Sequence, residues 1–301
     1  VEYTFMNGEF IPAGTAVVGV KNKALNYGLG VIEGIRGYWN DEHEQLYLFR
    51  LADHYSRFLD ACRTLYISLP YSVGDLCEIT VDLVKLNNIK GNIYIRPVAY
   101  IDEDSLRPSL VNGNYGIFIA LVEPGIYSLN ELSTLTSSWL RISSNTIPPF
   151  IKSISGYLNS ALAYSEAVLA GAEDAIFLTR DGNISEGSTS NLFIVNNNRL
   201  FTPPASDDIF PGLTRDTVIT IAKKELGMET DIGSLPKSAL YAADELFFTG
   251  TAIQLVSVVK TDHRTVGTGT TGPVTARLQQ LYSQIVLGET SAYRRYLTPV
   301  W

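Results

Sequence analysis

Three turn signals, each beside short apolar runs, constrain what this chain can fold into. Asn7-Gly8 separates Tyr3-Thr4-Phe5-Met6 from Glu9-Phe10-Ile11-Pro12, and Asp181-Gly182 follows Ala175-Ile176-Phe177-Leu178-Thr179. Asn196-Asn197-Asn198 separates Leu192-Phe193-Ile194-Val195 from Arg199-Leu200-Phe201-Thr202. Asn-Gly and Asp-Gly supply the positive backbone angles of a tight hairpin, so each signal predicts two antiparallel strands. Helical periodicity runs between them. Leu51, Tyr55, Phe58, Leu59, Cys62 and Leu65 recur at the spacing of an amphipathic helix, and further helices are expected at 73–86, 156–170, 214–226 and 274–286. Residues 93–100 alternate like a strand, and 115–122 form a nearly continuous apolar strand. Helices interleaved with antiparallel hairpins give an α+β fold rather than a doubly wound sheet. A chain of 301 residues can bury two cores. The pattern predicts a small α/β domain over 1–121, a linker over 122–132 and a larger domain over 133–301.

Charge and residue usage exclude several function classes. Aspartate and glutamate number 31 against 23 lysines and arginines, a net charge of −8, and no basic stripe is present for a nucleic-acid backbone. Cys62 and Cys77 lie in apolar helical stretches without histidines at ligand spacing, which argues against a disulfide framework or a metal site. No apolar run reaches the roughly 18 residues of a membrane span, and the N-terminus lacks a signal-peptide layout. The reading is a soluble, cytoplasmic protein with no membrane partner. His43, His54 and His263 stand in polar, surface-like contexts, so a Ser-His-Asp or metal-histidine centre is not expected. No Gly-x-Gly-x-x-Gly or Walker loop opens a helix.

An imported cofactor would supply the missing chemistry, and one lysine is placed to carry it. Lys21, Lys23, Lys223, Lys224 and Lys260 are expected in solvent. Lys152 instead follows the proline-stiffened Thr146-Ile147-Pro148-Pro149-Phe150-Ile151 and precedes a helix start at Gly156-Tyr157. A lysine in an apolar pocket loses its proton more easily, and the neutral amine can form a Schiff base with a carbonyl cofactor. The same placement also suits a lysine whose stem snorkels past a helix start.

Seven motifs in order narrow the choice. They are Asn26-Tyr27-Gly28-Leu29-Gly30-Val31-Ile32-Glu33-Gly34-Ile35-Arg36, Tyr94-Ile95-Arg96-Pro97, Lys152 with Tyr157-Leu158-Asn159-Ser160, and Ile184-Ser185-Glu186-Gly187-Ser188-Thr189-Ser190-Asn191-Leu192-Phe193. Phe201-Thr202-Pro203-Pro204, Pro211-Gly212-Leu213-Thr214-Arg215-Asp216 and Gly250-Thr251-Ala252 complete the series. With them the chain resembles, over nearly its whole length, the branched-chain amino acid aminotransferases of the class IV, fold type IV pyridoxal-phosphate enzymes. That superfamily also holds D-amino acid aminotransferases and aminodeoxychorismate lyases. The resemblance implies a two-domain D-amino acid aminotransferase-like fold with pyridoxal 5'-phosphate bound to Lys152, the catalytic residue. It implies Glu186 beside the pyridine nitrogen, Tyr157 beside the 3-oxygen, and a phosphate site made by Arg57, Leu213, Thr214 and Thr251. An anion is suited by main-chain donors at a helix N-terminus together with one fixed cation.

The resemblance further implies substrate contacts from Tyr27, Ile32, Arg36, Tyr94, Arg96, Arg107, Tyr127, Thr251 and Ala252. Ile32 stands where bacterial branched-chain enzymes commonly carry phenylalanine, and Pro124 where a tryptophan is common. The implied activity moves the amino group of leucine, isoleucine or valine to 2-oxoglutarate, giving 2-oxo acids and glutamate. A D-amino acid or (R)-amine transaminase is the alternative, followed by a pyridoxal-phosphate lyase. A homodimer or higher homo-oligomer is implied too, with the loop around Arg107 completing the neighbouring subunit's site.

Overall fold

The structure is a computed structural model that describes residues 2–103, 105–111, 113–123 and 131–301. The chain divides into two units. One consists of Val1–Gly125, Ile151–Ser155 and Gln284–Trp301, the other of Ile126–Phe150 and Gly156–Ser283.

In the first unit one antiparallel sheet runs Leu297–Pro299, Gln45–Phe49, Ile35–Asn40, Ile93–Ile101, Tyr115–Val122, Tyr3–Met6 and Glu9–Pro12, with Gly30–Ile32 also paired to Ile93–Ile101. The first hairpin turns at Asn7 and Gly8, both at positive φ. Helices Leu51–Thr64 and Val73–Leu86 cover one face of the sheet. Leu51, Tyr55, Phe58 and Cys62 share a core with Ile35, Ile95, Ile117 and Ile119, as the periodicity predicts. Ser72 and Asp75 form a capping box that fixes where the second helix starts.

The second unit holds a nine-stranded sheet in the order Ile184–Gly187, Asp174–Leu178, Glu131–Thr136, Gln254–Thr261, Glu245–Gly250, Asn191–Asn196, Arg199–Thr202 and Thr230–Ile232, with Arg264–Thr265 beside Gln254–Thr261. Its expected hairpins are antiparallel. Three other pairs are parallel: Glu131–Thr136 with Asp174–Leu178, Glu131–Thr136 with Gln254–Thr261, and Arg199–Thr202 with Thr230–Ile232. Helix Tyr157–Leu169 lies in the connection between the first of these pairs, so no local turn signal announces it. Phe193 and Phe247 stack at 5.0 Å in the middle of the sheet. The strand Glu131–Thr136 begins inside the stretch read as linker.

Lys23 is a correction to the sequence reading, which placed it in solvent. It is 1% exposed, and its Nζ reaches Glu103 Oε2 at 2.6 Å and the Ser109 carbonyl at 3.3 Å. Asn22 caps the short helix Lys23–Tyr27 and donates to Asp102 Oδ1 at 2.8 Å. The ion pair that keeps Lys23 buried comes from a loop far along the chain, beyond the reach of local pattern.

Gly30 shows how closely the Lys152 segment is fitted. The Gly30 carbonyl accepts from Ile154 N–H at 3.0 Å, and Ile32 N–H donates to the Lys152 carbonyl at 2.9 Å. A Cβ on Gly30 would stand 2.7 Å from the Ala99 carbonyl oxygen and 2.8 Å from Ile154 Cδ1. Gly30→Ala is therefore expected to cost about 1–3 kcal/mol through overpacking, read as a lower urea midpoint with an unchanged slope. An unchanged midpoint would show that the strand pair yields freely.

Candidate active site

Strand parity sorts the motif around Glu33 into two faces. Val31 pairs with Ala99, Ile32 with Val98 and Arg36 with Tyr94, and Glu33 N–H donates to the Pro97 carbonyl at 2.9 Å, so one register runs through the break at Glu33-Gly34. Side chains alternate along a strand, so Glu33 turns to the same side as Val31 and Ile35, toward helix Leu51–Thr64. There it is 1% exposed. A buried carboxylate needs cations and donors, and the helix supplies both. Arg57 Nε reaches Oε1 at 2.7 Å and Nη2 reaches Oε2 at 3.0 Å, while His54 Nδ1 meets Oε2 at 2.8 Å and Gly34 N–H donates to Oε2 at 3.1 Å.

His54 is the second correction: it is 2% exposed rather than on the surface. Burial lowers its pKa, with the Arg57 and Lys152 charges acting the same way against the pull of Glu33. Set against the Glu33 carboxylate, which accepts, Nδ1 is the donor of that contact. For Glu33, burial pushes the carboxyl up, but the Arg57 charge and the His54 contacts outweigh it and hold the pKa well below the usual carboxylate range. Sequence reasoning missed Glu33 and His54 as functional residues. The available signal was a carboxylate at an inward position between Val31 and Ile35.

The opposite face of the same strands carries expected substrate residues. Ile32, Arg36, Tyr94 and Arg96 share it by parity. Arg96 Nη2 donates to Tyr94 Oη at 3.2 Å, the guanidinium lies 5.3 Å from the Tyr94 ring centre, and Arg96 Nε is buried with no partner among the described residues. Gly34 lets the Tyr94 hydroxyl lie against the backbone, because a Cβ there would overlap it. Tyr27 is exposed, and its hydroxyl donates to the Leu106 carbonyl at 2.6 Å. Arg107, on that same loop, is exposed. Tyr127 and Pro124 lie outside the described residues. Lys152 is half-buried in the segment fixed against Gly30–Ile32, where Val31 and Ser153 form a bridge.

The second unit holds the remaining candidates, among them another buried carboxylate. Glu186 Oε1 lies 2.8 Å from Arg141 Nη2, and its Oε2 accepts from Asn191 Nδ2 and from Phe210 N–H, both at 2.9 Å. Asn191 Nδ2 also donates to the Phe210 carbonyl at 2.8 Å. Gly212 allows this, since a Cβ would strike Asn191 Oδ1. It is also the N-cap of helix Leu213–Leu226, whose first turn holds the buried Thr214. Thr251 and Ala252 lie in the tight loop closed by the Gly250–Gln254 pair. Beside Gly250 the Ser190 hydroxyl is buried without a partner among the described residues, as is that of Thr249. Tyr157 is the half-buried first residue of its helix. Among the described residues no cluster of histidine, cysteine, aspartate or glutamate could hold a metal ion, and no helix is long and apolar enough to cross a membrane.

Comparison with known proteins decides the family. Residues 30–261 match amino-transferase class IV. The chain belongs to that family. A curated relative from Aquifex aeolicus, named "Probable branched-chain-amino-acid aminotransferase", is 39% identical over 100% of this chain and 97% of its own length. A branched-chain aminotransferase from Thermoproteus uzoniensis, solved with norvaline, superposes with a TM-score of 0.95 at 38% identity, covering 99% of both chains. A third relative, the T.th. branched-chain amino acid aminotransferase complexed with N-(5'-phosphopyridoxyl)-L-glutamate, superposes with a TM-score of 0.94 at 36% identity, covering 99% of this chain and 98% of that one.

The class IV residues present fit a phosphorylated pyridine cofactor. A helix N-terminus opened by Gly212, with the Ser190 and Thr249 hydroxyls buried and without a partner among the described residues, suits an anion. A buried carboxylate paired with a guanidinium suits a pyridine nitrogen that must stay protonated.

The Glu33 cluster has a pH signature. Its folded pKa is depressed, so its stabilisation is complete above the unfolded carboxylate value of about 4.3 and is lost as pH falls below it. Glu33→Gln breaks a buried pair and is expected to cost about 3–5 kcal/mol at pH 7. The gap to the parent should narrow as pH drops below about 4. Urea melts of both proteins at pH 7 and at about pH 3 test this, and a pH-independent gap would contradict it.

Proposed function

We propose that the chain is a pyridoxal-phosphate-dependent transaminase that moves the amino group of leucine, isoleucine or valine to 2-oxoglutarate, giving 2-oxo acids and glutamate. The observation that carries this reading is the buried Glu186, paired with Arg141 and hydrogen-bonded by Asn191 and Phe210, followed in sequence by a helix N-terminus at Gly212-Leu213-Thr214. When bound, the cofactor offers a carbonyl to amines and a ring that takes up the electrons left when a Cα–H bond breaks. Lys152 Nζ holds the cofactor and then serves as general base and acid for the Cα proton. Glu186 keeps a proton on the ring nitrogen, and the Tyr157 hydroxyl donates to the 3-oxygen. Arg57, oriented by its two bonds to Glu33, would bind the phosphate, as would Leu213, Thr214 and Thr251.

Tyr27, Ile32, Arg36, Tyr94, Arg96, Arg107, Tyr127, Thr251 and Ala252 receive the substrate. Arg96, with its unpartnered Nε, supports recognition of a carboxylate. The phosphopyridoxyl-glutamate complex of the T.th. enzyme supports the glutamate half-reaction, and norvaline in the Thermoproteus enzyme supports an aliphatic donor. The same reading makes the protein a cytoplasmic homodimer or higher homo-oligomer in which the Arg107 loop serves the neighbouring site. The free thiols of Cys62 and Cys77 support a reducing compartment. Helix Tyr157–Leu169 exposes Leu158, Tyr164, Val168 and Leu169, an apolar surface suited to a second copy.

Three measurements test the reading. Lys152→Ala is expected to lose turnover and the visible absorbance of lysine-bound cofactor, and an unchanged spectrum would sink the assignment. In a donor panel against 2-oxoglutarate, leucine, isoleucine and valine should fall within about 10–200-fold of one another, since methylene differences discriminate weakly. L-aspartate should be poor and D-alanine much slower. If D-alanine or an (R)-amine outpaces L-leucine, the alternative transaminase takes its place. Light scattering should give at least a dimer, and a fully active monomer would contradict the shared site.

A further inference from the structure

Arg141 was not singled out by any sequence motif, and no role has been given to it beyond its contact with Glu186. It lies in irregular backbone after strand Glu131–Thr136, yet its side chain is only 8% exposed. Everything around it fixes its position. Its N–H donates to the Leu178 carbonyl at 2.9 Å, its Nε to the Asp208 carbonyl at 3.3 Å, and its guanidinium carbon lies 5.5 Å from the Phe177 ring centre. The remaining direction is taken by Glu186, with Nη2 at 2.8 Å from Oε1. Burying a guanidinium is expensive unless a carboxylate offsets it, so the pair is retained in a setting where neither partner is dispensable.

We propose that Arg141 is a positioning residue that decides where the proton shared between Glu186 and the cofactor's ring nitrogen resides. The inference rests on the reading of Glu186 as that nitrogen's partner. A carboxylate and a pyridine nitrogen in contact compete for one proton. A guanidinium 2.8 Å from the carboxylate stabilises the anion, so the proton would stay on nitrogen. Asn191 Nδ2 and Phe210 N–H donate to the other oxygen and act in the same direction, but as neutral dipoles they are weaker. The Arg215 guanidinium also attracts Glu186, but it directs its hydrogen bonds to Thr202 and the Pro203 carbonyl. Removing the Arg141 charge raises the proton affinity of Glu186 and draws the proton toward Oε1 or Oε2. The ring then accepts electrons less readily. Lysine cannot replace arginine fully, because one ammonium on a flexible stem cannot reproduce the fixed fork between Glu186 and the Asp208 carbonyl.

The test uses protein loaded with pyridoxal phosphate labelled with 15N in the ring, and reads the nitrogen resonance at neutral pH. The parent is expected at the protonated position, Arg141→Gln displaced toward the unprotonated one, and Arg141→Lys between the two. Turnover should fall about 10–100-fold in Arg141→Gln with little change in the KM for leucine, because Arg141 is assigned no contact with substrate. Mere loss of stability does not move the resonance. If the glutamine variant fails to fold, the lysine variant decides by itself, and a parent-like resonance in either folded variant overturns the proposal. Glu186→Gln is recorded alongside: a parent-like resonance there removes the reading on which the proposal rests. A displaced one, with both Arg141 variants parent-like, overturns the role of Arg141 alone.

Discussion

Each unit of this protein holds a carboxylate almost out of reach of water, and each pairs it directly with a guanidinium. Glu33 and Glu186 are 1% and 5% exposed at the side chain, with Arg57 and Arg141 at 2.7 and 2.8 Å. Desolvating either charge without its partner would cost several kcal/mol, comparable to a large part of a domain's net stability of roughly 5–15 kcal/mol. The pairs therefore constrain the elements that carry them. Helix Leu51–Thr64 must present His54 and Arg57, one turn apart, to the strand position of Glu33. The turn between Ile184–Gly187 and Asn191–Asn196 must return Asn191 to Glu186 while leaving its amide within reach of Phe210. These polar requirements complement the apolar cores, which fix the packing of each unit but not the direction of any charge.

What was legible in the sequence follows the range of the interactions involved. The helix expected over 51–65 is Leu51–Thr64, and those expected over 73–86 and 214–226 are Val73–Leu86 and Leu213–Leu226, because periodicity and capping are written within a few residues. The hairpins around Asn7-Gly8 and Asn196-Asn198 were equally local. The parallel pairs of the second sheet were not legible, since they join segments separated by a helix. Neither were Lys23 and His54. A polar side chain is read as exposed until its partner is known, and Glu103 and Glu33 lie 80 and 21 residues away. Lys152, Glu186 and Thr214 stood out through the motifs around them, whereas Arg141 belongs to no motif and acts through a partner that does.

The two kinds of donor in the candidate site differ in how freely evolution can alter them. On the proposed reading the phosphate is held largely by main-chain groups at the start of helix Leu213–Leu226, positioned by Gly212 and the Asn191 amide. Main-chain donors survive most side-chain replacements, and the glycine is required because any Cβ would collide with Asn191. The face carrying Ile32, Arg36, Tyr94 and Arg96 is built from side chains, standing on paired strands whose register is held from the other side by the core and by Glu33. Replacing one of these changes the pocket without disturbing the pairing beneath it. Cofactor chemistry and substrate choice are thereby carried by different physical elements, and a change such as isoleucine for phenylalanine at position 32 can alter the range of donors while the machinery that moves the proton stays as it is.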